Sequence, residues 1–208
     1  MSAAYQKQLR AAEAHLSAVD PALAKVIKRV GPCTLTLERG FDPFESLARS
    51  IVYQQLTGKA AETIHGRLVD AFGGTLHPDK VARARIPSLR KCGLSNSKAK
   101  AIQDLARKHR DGLIPSAKQL NTMSNEDVID TLTQVYGIGP WTVQMMLMFR
   151  MGRMDVMPVE DYGVRKGYSV LVKAKDLVSK KELLAGAEPW APYRSIGSWY
   201  MWRVLELE

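Results

Sequence analysis

Residues 125–168 read NEDVIDTLTQVYGIGPWTVQMMLMFRMGRMDVMPVEDYGVRKGY. Val128, Ile129, Leu132 and Val135 recur at the spacing that lines one face of a helix over 126–135. Ser124 stands just before them, where its hydroxyl can cap the unpaired N–H groups of the first turn. Gly137 and Gly139 flank Ile138, so positive φ is expected on both sides of one buried apolar residue. Pro140 follows at a first helical position, where its missing N–H is not needed. Helix, G-I-G hairpin, helix is a backbone arrangement suited to gripping a phosphate.

Outward from this stretch the chain reads as helix almost throughout. The pattern predicts a helix over 5–19, a break at Asp20-Pro21, and a second helix to residue 29. Residues 33–38 (CTLTLE) alternate as a short extended segment would, and 39–43 should form a turn. Phe44, Leu47, Ala48, Ile51 and Val52 place one apolar face on a helix over 44–53. Thr57 can cap a following helix over 59–72, which Gly73-Gly74 would end. Short helical pieces are expected at 77–84 and 87–92, then a basic helix over 96–109 whose Lys98, Lys100, Arg107 and Lys108 form a solvated face. Helices over 165–172, 179–187 and 196–207 complete the chain. The fold class is therefore all-α, a multi-helix globule with short loops. The six methionines from Met145 to Met157 read as packing, since the flexible thioether fills irregular cores.

Composition narrows the partners. The chain has 208 residues, 46% hydrophobic and 25% charged, ordinary for a globular protein with a sizeable core. Its net charge of +9 favours a polyanion, because cations placed near phosphates release condensed counterions. Cys33 and Cys92 are the only cysteines and lack CxxC spacing. They supply no zinc set, no iron–sulfur set and no disulfide framework, and a reducing compartment is the simplest reading. Residues 1–20 lack the apolar core of a signal peptide, and no apolar run approaches the length of a membrane span.

Two residues carry competing readings. Leu56 lies in the polar joint between two helices, either as a hydrophobic staple for the next turn or as a wedge for a base stack. Asp161 precedes a helix and can cap it. Capping is the simpler reading; in a basic chain with a phosphate-gripping hairpin, the same carboxylate can also stabilise an oxocarbenium-like sugar cation and orient a water.

YGIGPWT followed by MDVMPVEDY resembles the helix-hairpin-helix DNA glycosylase superfamily, and more narrowly its alkylbase branch, the 3-methyladenine DNA glycosylase II family. SIVYQQLT, LRKCGLSNSKAKAI and WAPYRS agree with that branch, so the resemblance covers roughly residues 30–205 in consistent order. The β-rich N-terminal domain of some members is not expected here, which makes this a short form. The resemblance implies two helical lobes with the active-site cleft between them. One is formed by about 1–40 and 155–208, the other by about 41–154 with the hairpin at 125–151.

By the same resemblance, the motif's aspartate falls on Asp161 and the wedge leucine on Leu56. Gln55, Thr57, Gly137, Ile138, Gly139 and Thr142 join Leu56 in contacting DNA. Main-chain oxygens of Thr133, Val135 and Ile138 would hold a sodium or potassium ion against a phosphate. No cofactor is required for the chemistry, and no iron–sulfur cluster is expected. Bifunctional relatives carry a nucleophilic lysine where this chain has Trp141. The implied enzyme is therefore monofunctional, leaving an abasic site with the backbone intact. Trp141 could be an ordinary core aromatic; in this setting its ring suits stacking on a cationic alkylpurine. Tyr162, Tyr193, Trp199 and Met145 are further pocket candidates. Tyr193 and Met145 depart from relatives that carry Trp and an aromatic there, which implies a different range of lesions. The expected partner is double-stranded DNA with alkylated bases, met by a monomer in the cytoplasm, at the nucleoid if the source is bacterial. A non-catalytic helix-hairpin-helix DNA-binding protein would share the hairpin and the charge without needing Asp161.

Overall fold

Asp20 accepts the Ala22 and Leu23 N–H groups at 3.0 and 2.9 Å, and Pro21 occupies the next position. This cap and proline separate helix α1 (Ala3–Val19) from α2 (Pro21–Val30), as the sequence predicts. Asp42 and Pro43 repeat the device at the start of α3 (Pro43–Tyr53). The computed structural model describes residues 3–37 and 41–207. Next come α4 (Gly58–Ala71), α5 (Pro78–Arg83), α6 (Ile86–Lys91), α7 (Asn96–Arg110), α8 (Ala117–Thr122) and α9 (Asn125–Leu132). The last four helices are α10 (Pro140–Phe149), α11 (Tyr162–Leu171), α12 (Lys180–Gly186) and α13 (Arg194–Val204), with a 3-10 turn at Glu188–Trp190. No strand occurs among the described residues, and none of the described helices is long and apolar enough to cross a membrane.

Three places add to or change the expectations. Residues 33–37 alternate as expected, with Cys33 and Leu35 buried and Thr34 and Thr36 exposed, but they pair with no other strand. An extended segment lying on a core produces the same alternation as a ladder strand. Glu38, like Arg39 and Gly40 of the expected turn, lies outside the described residues. Helix α8 was not expected, although Ser116 and Gln119 form a capping box at its start. Finally, Thr57 sits at the N-cap of α4 with extended backbone, but its side chain makes no capping bond.

The chain divides into two compact units. The first comprises Met1–Glu38 and Leu147–Glu208. Its core gathers Leu9, Leu16 and Leu23 with Trp190, Ile196 and Tyr200. Trp190 is fully enclosed, and its indole N–H is satisfied by Asp20 Oδ2 at 2.9 Å. Helices α11 and α13 approach closely at Gly167, where a Cβ would stand 2.0 Å from the Met201 carbonyl oxygen. Only glycine fits there.

The second unit is Arg39–Met146. The apolar face of α3 is buried as predicted, and it packs against α7, whose Ala99, Ile102, Leu105 and Ala106 are equally enclosed. Each such leucine or isoleucine contributes about 1.5–3 kcal/mol relative to leaving it in water. Of the six methionines, Met146, Met148 and Met157 are buried. Both cysteines are free and buried, as small core residues.

Candidate nucleic-acid interface and active site

In the second unit, Ser124 Oγ accepts the Asp127 N–H at 3.0 Å, so α9 begins where the sequence places it. The helix ends at Leu132 rather than 135, and a turn carries the chain through Val135 and Ile138, both buried, to Pro140. Gly137 has φ +81°, the left-handed conformation that favours glycine. Gly139 does not; its carbonyl instead accepts the Thr142 and Val143 N–H groups at 3.0 and 3.3 Å, starting α10. A Cβ at Gly139 would meet nothing within 4 Å. The positive-φ expectation thus holds at one glycine, and the other opens the helix.

Side chains from neighbouring elements fasten this hairpin by its main-chain polar groups. Gln54 Nε2 donates to Gly137 O at 3.0 Å, and the Lys108 ammonium donates to Gln134 O and to Asp104 Oδ2. Asp104 Oδ2 also accepts the Tyr136 N–H at 2.8 Å. Lys98 Nζ bonds Val52 O at 2.7 Å and Gln54 O at 2.6 Å, closing the C-terminal end of α3. Burial lowers the Lys98 pKa from its ordinary value. The solvated basic face expected on α7 is therefore half right: Lys100 and Arg107 are exposed, whereas Lys98 and Lys108 are partly buried and committed to carbonyls.

The joint between α3 and α4 is a strained tip. Gln55 has φ +55°, a conformation that costs a non-glycine residue about 1–2 kcal/mol, and Leu56 beside it is 39% exposed. A staple would be covered by the next turn; Leu56 is only partly covered. Next to this joint lies a cavity of about 550 Å³, lined by Ser50, Tyr53, Gln54 and Gln55 together with Trp141, Thr142 and Met145. Trp141 is 43% exposed, which excludes the core-aromatic reading, while Thr142 is buried. The Arg49 guanidinium lies 4.3 Å from the Tyr53 ring centroid and steadies that wall. Ser50, Tyr53 and Gln54 carry no motif of their own, and only their place in SIVYQQLT could have singled them out.

In the first unit, Asp161 is the N-cap of α11 and is 9% exposed. Its Oδ1 accepts the Val164 N–H at 2.8 Å and the Trp202 indole N–H at 2.9 Å. The capping role is therefore real and does not exclude a second one. The loop before it is pinned to α13. Arg194 Nε and Nη2 bond Asp155 Oδ1 and Oδ2 at 2.6 and 2.8 Å, a two-pronged pair that holds the Asp155 carboxyl below its ordinary pKa. Ser195 Oγ donates to Arg153 O at 2.7 Å and accepts the Val156 N–H at 2.9 Å. Two separately recognised segments, MDVMPVEDY and WAPYRS, thus meet through Asp155, Arg194 and Ser195. Glu160 pairs with Lys180.

The remaining pocket candidates, Tyr162, Tyr193 and Trp199, belong to this first unit. Tyr162 is 67% exposed, Tyr193 is partly buried with its ring edge-on to His15, and Trp199 is buried in the core with the Arg203 guanidinium 5.3 Å from its ring.

The family of HhH-GPD superfamily base excision DNA repair proteins matches residues 48–192. The chain is 35% identical over 203 residues to DNA-3-methyladenine glycosylase 1 of Schizosaccharomyces pombe, covering 96% of this chain and 89% of that one. Its structure is similar to that of the S. pombe 3-methyladenine DNA glycosylase in complex with abasic DNA (TM-score 0.80, 35% identity, 92% of this chain and 95% of that one). It is likewise similar to a DNA-3-methyladenine glycosidase from Bacillus halodurans (TM-score 0.80, 32% identity, 91% and 86%). Hairpin, aspartate loop and sequence likeness agree: this chain belongs to the HhH-GPD superfamily of base excision DNA repair proteins.

Proposed function

We propose that this protein is a monofunctional DNA glycosylase acting on alkylated bases in duplex DNA, working as a monomer. The observation that carries the reading is Trp141: a large ring left 43% exposed, on the wall of a 550 Å³ cavity, in the first turn after the hairpin. A ring face suits a cationic N-alkylpurine, and indole offers no amine for a Schiff base. Leu56, exposed at its strained turn, fills the stack left by the extruded nucleotide.

Alkylation at N3 or N7 places positive charge on the purine, so the C1′–N bond breaks with its electron pair leaving on the base. Positive charge then develops on the sugar. The Asp161 carboxylate stabilises it, and a water adds at C1′ and releases a proton, leaving a free base and an intact phosphodiester backbone. An already cationic base leaves without a general acid.

The hairpin oxygens also fit a monovalent cation. Lys108 and Gln54 fasten the intervening Gln134 and Gly137 carbonyls, and Val135 O accepts only the Ile138 N–H at 3.1 Å in this turn, keeping a second lone pair. Thr133, Val135 and Ile138 would hold the ion as neutral oxygen donors, and its charge would offset that of a DNA phosphate.

The test is base release from duplexes carrying single N3- or N7-methylpurines. Asp161→Asn keeps an oxygen for the cap, since Asn caps as well as Asp, and removes the charge. Release should fall by about 100-fold or more while binding to abasic duplex persists. Unchanged release would remove Asp161 from the chemistry, absence of release by the wild type would leave a DNA-binding protein, and borohydride trapping would make it a lyase.

A further inference from the structure

The Asp161 carboxylate could be held by the helix cap alone, as caps commonly are. Here a second donor converges on the same oxygen: the Trp202 indole N–H lies 2.9 Å from Oδ1, beside the Val164 N–H at 2.8 Å. A cap leaves the carboxylate free to swing about its bond to the backbone N–H. Two donors from different helices, one on α11 and one on α13, do not.

The surroundings are arranged for this bond. Trp202 is stacked against Phe149, ring centroids 5.7 Å apart and planes 28° from parallel, so the indole cannot turn its N–H away without losing that face. On its other side the α11 backbone is bare. A Cβ at Gly163 would lie 2.8 Å from Trp202 Cδ1, 3.1 Å from its Nε1 and 3.2 Å from Asp161 Oδ1. Any side chain at 163 would push the indole off the carboxylate. Gly163 has no positive φ to explain its presence. What explains it is space for the indole edge.

We propose that Trp202 is a positioning residue for base excision, fixing the rotation of the Asp161 carboxylate through its indole N–H, with Gly163 and Phe149 holding the indole in register. The proposal rests on the reading of Asp161 as the group that stabilises the sugar cation. Stabilising a developing charge depends on where the carboxylate stands before the bond breaks, and a displacement of about 1 Å can lower the rate by about 100-fold. Trp202 would thus act on the chemical step and leave DNA binding untouched.

The experiment replaces Trp202 by 3-benzothienylalanine, which keeps the shape and stacking of indole and substitutes sulfur for N–H, alongside Trp202→Phe and Asp161→Asn. Each is assayed for single-turnover release from a duplex carrying one N7-methylguanine, for binding to a duplex with a tetrahydrofuran abasic analogue, and for thermal melting. The isostere should melt and bind as the wild type does but release base about 10- to 100-fold more slowly. A folded isostere releasing base within about twofold of wild type overturns the proposal and makes Trp202 packing only. If Asp161→Asn is inactive while the isostere is normal, only the role of Trp202 falls. If Asp161→Asn is itself normal, the reading of Asp161 falls, and this inference with it.

Discussion

Around the hairpin, side chains reach in to hold main-chain oxygens: Lys98 on Val52 and Gln54, Lys108 on Gln134, Gln54 on Gly137. Around Asp161 the direction reverses, and the donors, a main-chain N–H and an indole, hold a side-chain oxygen. The two regions present different things. The first fixes a backbone, whose polar groups, in the proposed function, would grip a phosphate whatever base it carries. The second fixes one carboxylate, whose placement, in the proposed function, would matter to the bond being broken. Grip tolerates side-chain variety and needs a rigid turn; chemistry tolerates little and needs one atom in place.

Three substitutions probe that contrast, beginning with the largest effect. Gly167→Ala forces a Cβ against the Met201 carbonyl, 2.0 Å away, in the contact that carries α11 and its capping aspartate. It should destabilise the protein by about 3 kcal/mol, measured by urea unfolding, because backbone cannot move aside as a side-chain tip can. Destabilisation below about 1 kcal/mol would mean that α11 is not seated by this contact.

Asp155→Asn breaks the charged pair with Arg194 and should cost about 2 kcal/mol at neutral pH, since both groups are about 30% exposed and the geometry is two-pronged. The pH dependence has a definite sign. The folded pKa of Asp155 lies below its ordinary 3.8, chiefly through its hydrogen bond to Arg194. The stabilisation is complete above the unfolded value and is lost as pH falls through the folded one. Urea melts at pH 7 and pH 3 should therefore show the difference between wild type and Asp155→Asn shrinking in acid.

Smallest is Lys98→Met, which keeps the aliphatic stem and removes the ammonium from two carbonyls. It should cost about 1 kcal/mol, with faster hydrogen exchange confined to the amides of residues 52–56. Slowed base release with unchanged exchange at those amides would assign Lys98 a direct role and weaken the contrast.

Most of the helical fold was legible because apolar spacing and caps report local physics: the α3 face, the Asp20 break and the Ser124 cap all stand where their residues put them. The roles that depend on a distant partner were not. Lys98 and Lys108 looked like any exposed cations on a basic helix, and nothing local shows that an ammonium will end on a carbonyl of another element. Trp202 carried no signal beyond being aromatic in a C-terminal helix, and its bond to Asp161 spans 41 positions of chain. Residues 33–37 alternate in burial as a short extended segment would, and alternation alone does not say whether such a segment is paired. At Asp161 the cap is observed and the sugar-facing role is proposed, since the same carboxylate would serve both.

The two thiols acquire meaning in this light. A protein that works on alkylated DNA, as proposed for this one, would meet the electrophiles that damaged it. Cys33 and Cys92 are free but only 6% and 7% exposed, and burial pushes the Cys33 thiol up to about 12 and the Cys92 thiol above its ordinary value. The thiolate is the nucleophile, and here it is both hidden and scarce. Under methylating stress the chain's own sulfhydryls should stay unmodified while the surrounding DNA does not.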